Sequence, residues 1–213
     1  VHYDDAGRDQ TEVVRSHLAE FDKLKFTPGQ RASYSNLNYM LLGAVIEAIT
    51  GDYRRVLINL PPYHSKSTLV TVWHTVYDIC RDPNLRTLLV SKSLPFARTF
   101  MHSIHEMLTN HDLYGDGPNL ITDWGPFRPE GQSVWSSENI YVAGRTSAEK
   151  DPTVGVLGVG QQIYGRRADV IKFDDIATLD NQRNPDRVAG MMEWTDKEAL
   201  SRIGKTGRAI WIG

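Results

Sequence analysis

An α/β fold with a mainly parallel sheet covered by helices is predicted by three features of the chain. Short runs rich in Leu, Ile and Val at 55–60, 85–91, 168–173 and 208–213 read as strands. Stretches at 66–80, 94–108 and 186–202 between them carry helical spacing. Strands that alternate with helices in this way form parallel sheets with both faces buried. A short helical segment, residues 1–52, precedes this pattern.

Within that first segment, Val13, Val14, Leu18 and Phe21 share one helical face over residues 11–22. Phe26-Thr27-Pro28-Gly29-Gln30 reads as a turn, because Pro and Gly together break a helix. A second helix starts after Ser35 or Asn36 and runs to Ile49, with Gly51 at the place of a C-terminal cap. The texture changes at Arg55, where Arg55-Val56-Leu57-Ile58-Asn59-Leu60 reads as a buried strand leading into Pro61-Pro62. Leu85 to Ser91 is the next strand, and residues 94–108 the helix after it. Residues 111–165 are rich in Gly, Pro, Asp and Trp and read as loops with short antiparallel strands. Ala168 to Phe173 forms a strand that ends in Asp174-Asp175. Lys172 is unusual inside such a run, and its expected place is an edge or a snorkelling position. The last strand is Arg208 to Gly213.

Composition narrows the function classes. The chain has 213 residues, of which 40% are hydrophobic and 23% charged, which suits a globular protein with a sizeable core. A formal net charge of −2 gives no global attraction for nucleic acid, so DNA binding would need local patches or a partner chain. The single cysteine, Cys80, excludes an internal disulfide framework and disfavours a Cys-rich zinc site. No apolar run reaches the ~18 residues of a membrane helix, and the start has no signal-peptide layout. The expectation is a soluble cytoplasmic protein with no membrane partner.

Lys66-Ser67 lies between a strand and a helix, the arrangement that holds nucleotide phosphates. Backbone N–H groups at the helix start face the anion, and the helix dipole favours negative charge there. Lys66 would reach the β and γ phosphates, and the Ser67 hydroxyl would ligate Mg²⁺. The general motif places glycine six residues and one residue before the lysine, where this chain has Leu60 and Ser65. A solvated lysine after a helix cap is the plainer reading of the pair taken alone.

Pro61-Pro62-Tyr63-His64-Ser65-Lys66-Ser67 is similar to the Pro-Pro-Arg-His-Gly-Lys-Ser loop of phage terminase large subunits. The Leu-Leu-Val-Ser strand at 88–91 with Ala97, the stretch from Gly158 to Gly165, the acidic pair, Ser201-Arg202 and the Gly-Arg-Ala-Ile-Trp-Ile-Gly ending extend the likeness over residues 53–213. The resemblance implies a P-loop NTPase that binds ATP and Mg²⁺, with Pro62, Tyr63, His64, Ser65, Lys66, Ser67 and Thr68 around the phosphates. It also implies double-stranded DNA and other terminase or portal subunits as partners, allows a homo-oligomer, and points to host-cell cytoplasm for a phage-encoded chain. Tyr63 stands where the family has an arginine, and Ser65 where it has glycine. The family's adenine-contacting glutamine segment is not recognisable, and no carboxylate cluster of the family's nuclease domain follows.

Val170-Ile171-Lys172-Phe173-Asp174-Asp175 resembles the family's second nucleotide motif. Asp174 would hold Mg²⁺ beside Ser67. Asp175 would orient or deprotonate the attacking water, so Lys66 and Asp175 are the expected catalytic residues. The bland alternative is that two aspartates simply end a strand in a turn. Arg166-Arg167, just before the strand, is either a phosphate sensor, an inter-subunit finger or a solvated loop face.

A different resemblance covers residues 11–52. Phe26-Thr27-Pro28-Gly29, Tyr34-Ser35-Asn36, Leu41-Leu42-Gly43 and Ile49-Thr50-Gly51 look like the Tyr-x-Asn region of class C β-lactamases, penicillin-binding proteins and esterases. In that family the tyrosine helps activate a serine in a preceding Ser-x-x-Lys. Here Ser147-Ala148-Glu149-Lys150 follows Tyr34, and Lys205-Thr206-Gly207 sits inside the terminase-like ending. The chain therefore reads as a chimera with its seam near Gly51 to Arg54. Its leading function is ATP hydrolysis in DNA packaging; the alternatives are a serine hydrolase fragment and a non-catalytic fusion.

Overall fold

In the computed structural model, residues 53–60, 65–115, 117–131, 134–177 and 183–213 are described. The whole β-lactamase-like stretch, including Tyr34 and Asn36, lies outside the described residues, and so do Pro62, Tyr63 and His64. The unit that starts at Arg54 is α/β, built on a six-stranded sheet.

The strands are β1 (Arg55–Ile58), β2 (Thr87–Ser91), β3 (Asn139–Ile140), β4 (Val154–Gly158), β5 (Ala168–Asp174) and β6 (Ile203–Ile212). Their order across the sheet is β1-β6-β5-β2-β4-β3. All neighbours are parallel except β3, which runs antiparallel to β4. The strands predicted around 55–60, 85–91, 168–173 and 208–213 are present, the last extended back to Ile203.

Helices follow β1 and β2. The first begins as a π-wound stretch, Ser67–Trp73, and continues as α1 (His74–Arg81). The second, α2 (Leu94–Thr109), starts at Ser93, whose side chain accepts the Phe96 N–H, with Pro95 in its first turn. Its buried face of Ala97, Phe100, Met101, Ile104 and Leu108 packs with Val72, Val76 and Ile79 against Leu89 and Val156. On the opposite face of the sheet, Leu88, Val90, Ile171 and Phe173 pack with Trp194 and Ala199. Alternating residues of β2 thus enter two cores, the pattern of a strand buried on both sides. Trp194 and Ala199 belong to a segment in which α4 (Pro185–Glu193) passes into a π turn (Trp194–Ala199) and a final 3₁₀ turn. A short helix, α3 (Leu120–Trp124), lies between α2 and β3. No described helix is long and apolar enough to cross a membrane.

Two expectations need correction. Residues 111–165 do not hold only loops and short antiparallel strands: β4 is a parallel strand of five buried residues, paired with β2 throughout. Its two glycines weaken the strand signal, yet each sits where another chain segment comes close. Lys172 neither marks an edge nor snorkels; β5 lies between β2 and β6, and the lysine is fully buried.

Candidate functional site

Parallel strands deliver their C-terminal ends to one side of a sheet, where ligands of open α/β folds bind. Here β1, β6 and β5 end side by side. Leu60 N–H donates to Gly213 O at 3.2 Å, Gly213 N–H to Ile58 O at 3.0 Å, and Asp175 N–H to Ile212 O at 3.0 Å. These bonds bring Leu60, just after β1, and the acidic pair at the end of β5 to the same edge.

The loop re-enters the described structure at Ser65, whose φ of 53° lies in the left-handed region. That conformation favours glycine. Leu69 N–H returns to Ser65 O at 2.9 Å, closing the first turn. Lys66 stands at the N-cap without a side-chain cap bond, and no acidic residue occupies the first turn. The helix start therefore keeps the donor character and positive dipole end that anions seek. Thr68, in the first turn, is exposed.

Ser67 Oγ donates to Asp174 Oδ1 at 3.0 Å, across 107 residues of sequence. Thr71 Oγ1 donates to Asp174 Oδ2, so both carboxylate oxygens face the helix. Ser91 Oγ, at the end of β2, donates to the Asp174 backbone oxygen at 2.8 Å. Asp174 is 1% exposed. Burial raises its pKa above the ordinary value, while the Thr71 and Ser67 hydroxyls act in the opposite direction. A buried carboxylate beside a serine hydroxyl supplies hard oxygen donors, which fit Mg²⁺. No cluster of three or more His, Cys, Asp or Glu with metal-site geometry exists among the described residues. A Mg²⁺ held here would thus depend on waters and phosphate oxygens for its remaining ligands, the usual habit of that ion.

Lys66 Nζ lies 3.4 Å from Asp175 Oδ1, with Asp175 about half exposed. Asp175 itself has a φ of 46°. The two predicted catalytic residues are therefore in contact, and Asp174 is joined to Ser67. Arg166 and Arg167 are placed elsewhere: they precede Ala168, at the start of β5, whereas Asp174 ends it. Seven residues of strand span about 20 Å, so these arginines lie at the opposite end of β5 from Asp174.

A polar network lies behind the site. Lys172 Nζ donates to Val70 O at 2.9 Å and to Thr75 Oγ1 at 2.8 Å, and lies 2.9 Å from His74 Nδ1. Thr75 Oγ1 in turn donates to Thr71 O at 2.6 Å. Asp78 Oδ2 is 3.0 Å from His74 Nδ1 and 3.8 Å from Lys172 Nζ. Burial lowers the Lys172 pKa to about 8, partly opposed by Asp78. Burial first, and then Lys172, hold the His74 imidazole below its ordinary value. His74 is accordingly neutral near pH 7, and its close approach to Asp78 is not an ion pair. The sequence carried a signal for this network in the hydroxyl stripe Ser67, Thr71 and Thr75, spaced by four, and in a lysine within an apolar strand.

Of the serine-hydrolase constellation, Tyr34 lies outside the described residues. Ser147 lies in a loop where its Oγ accepts the Glu149 N–H at 3.2 Å, and Lys205-Thr206-Gly207 is part of β6. Among the described residues, no hydrogen bond joins Ser147 to Lys150 or Lys205. No family model matches the chain, and a search of curated proteins returns no significant match.

Proposed function

We propose that residues 53–213 form a Mg²⁺-dependent ATP-binding and ATP-hydrolysing domain of the phage terminase large subunit type. The observation that carries this reading is the Ser67–Asp174 bond beside the Lys66–Asp175 contact, at an uncapped helix start. Phosphate chemistry needs a cation donor, helix N–H groups, a metal-ligating hydroxyl and two carboxylates within reach of one another. All of these come from segments that are far apart in sequence and meet at one sheet edge.

In this reading Lys66 leaves Asp175 to bind the phosphates. The exchange is inexpensive, because ion pairs with a half-exposed partner contribute about 0–1 kcal/mol. Ser67 and Asp174 hold Mg²⁺, which when bound neutralises charge on the phosphate oxygens. Asp175, freed from the lysine, orients the attacking water and accepts its proton. Ser65, with Pro62, Tyr63, His64 and Thr68, lines the phosphates. Double-stranded DNA and other terminase or portal subunits are the partners this reading assigns.

Titration with mant-ATP, with and without Mg²⁺, tests the proposal. The parent should bind in a Mg²⁺-dependent manner, and Lys66→Ala should lower affinity about tenfold or more, the weight of one charge-assisted contact. Equal binding by parent and variant would remove Lys66 from the site.

A further inference from the structure

We propose that Lys172 is a positioning residue for the phosphate site, holding the π winding that sets Ser67 and Thr71 on the two oxygens of Asp174. The proposal rests on the nucleotide reading above for its functional meaning.

In an α-helix the His74 N–H would bond to Val70 O, four residues back. Here it bonds to Leu69 O, five residues back. Val70 O accepts from Lys172 Nζ instead. The same ammonium donates to Thr75 Oγ1, and Thr75 Oγ1 donates to Thr71 O. The lysine therefore grips the helix at 70 and 75, on either side of the point where π winding passes into α1 at His74. Such insertions are rare and frequent at functional sites.

The winding matters because it sets angular phase. A change from five-residue to four-residue bonding would rotate every residue before His74 relative to those after it. Ser67 and Thr71 are the residues that would turn, and both are bonded to Asp174. Lys172 is two residues before Asp174 on β5, and alternate residues of a strand point to the same face. One strand face thus carries both the carboxylate and the amine that fixes the helix over it. Stability alone does not explain an amine here. Replacing a buried charged group by an apolar one of similar volume is often neutral or stabilising.

The test compares Lys172→Met and Thr75→Val with the parent and with Thr75→Ser, which keeps the hydroxyl. Two quantities are measured: the Mg²⁺ concentration needed for mant-ATP binding, and amide hydrogen exchange over residues 67–75. Lys172→Met and Thr75→Val should each raise the Mg²⁺ requirement about tenfold, as for a lost hydrogen bond to a charged group. Exchange over 67–75 should rise while that of β2 and β5 stays parental, and Thr75→Ser should behave as the parent in both measurements. If Lys172→Met does not fold, Thr75→Val against Thr75→Ser carries the same comparison. Parental Mg²⁺ dependence and parental exchange in a folded Lys172→Met, or in Thr75→Val, overturn the Lys172 role and leave the nucleotide reading standing. If the parent binds no nucleotide, the nucleotide reading falls. Exchange then judges the tie alone: unchanged protection of 67–75 overturns it, and loss confined to that stretch sustains it.

Discussion

Ser65 holds a left-handed backbone at the mouth of the site, with a φ of 53°. A residue with a Cβ is strained there by about 1–2 kcal/mol, and glycine is not. Glycine loses more backbone entropy on folding, which offsets part of the relief. Ser65→Gly should therefore raise stability by about 0.5–1 kcal/mol in urea denaturation. A loss of similar size would show that the serine side chain has a compensating partner. Asp175 also has a positive φ, a conformation that aspartate tolerates better than most residues. Its assigned role separates binding from chemistry. Asp175→Asn should bind Mg-ATP near parental affinity while hydrolysis falls at least ~100-fold, within the range of general-base or water-positioning roles. Full turnover in Asp175→Asn would reduce the aspartate to a strand end. At this scale the sequence was informative about Lys66, Ser67 and the acidic pair, because charged and hydroxyl groups beside apolar runs are local signals. Thr71 was not legible as an Asp174 partner, since that contact depends on how the helix is wound.

Elements were legible where apolar residues run uninterrupted. Strand β2 and helix α2 fall within a few residues of their predicted limits. Strand β4 is not legible in the sequence because Gly155 and Gly158 interrupt its apolar run, and glycine lowers strand propensity. Packing explains the second of these. A Cβ on Gly158 would come within 2.6 Å of Leu94 N and 3.1 Å of Ser93 C, at the start of α2. Both are backbone atoms, which cannot swing aside. Gly158→Ala should cost about 1–3 kcal/mol as an overpacked contact. Gly190, within α4, is the control: a Cβ there meets nothing within 4 Å. Gly190→Ala should stabilise by about 0.5–1 kcal/mol through helix propensity alone. Urea unfolding of the two variants should give shifts of opposite sign. Equal shifts would mean that strand β4 and helix α2 do not meet at Gly158.

Across the whole sheet, the two ends of the strands carry different chemistry. The C-terminal ends of β1, β5 and β6 gather the proposed phosphate site, whereas the N-terminal ends of β2 and β5 are fastened by charge. Strand order was not legible in the sequence, because β6, last in the chain, inserts between β1 and β5. That insertion is a long-range pairing with no local signal. The N-terminal fastening was equally hidden. Arg86 Nε and Nη2 donate to Asp169 Oδ2 and Oδ1 at 2.9 and 2.8 Å, and the Arg86 N–H adds a third bond at 3.0 Å. Asp169 N–H returns to Arg86 O at 2.8 Å. Burial pushes the Asp169 carboxyl up, but its bonds to Arg86 and the guanidinium charge outweigh burial and hold it below the ordinary value. A carboxylate with a depressed folded-state pKa stabilises fully above its unfolded value, and the stabilisation is lost as pH falls through the folded value. The contribution of Asp169 should accordingly be complete above about pH 5 and decline below about pH 4, around and beneath the ordinary aspartate pKa. Asp169→Asn should cost about 1–2 kcal/mol at pH 7, since the pair is partly exposed and screened. The difference between parent and variant should narrow as pH is lowered from 5 towards 2, measured by urea unfolding at each pH. A gap that stays constant over that range would assign the loss to packing and not to the ion pair.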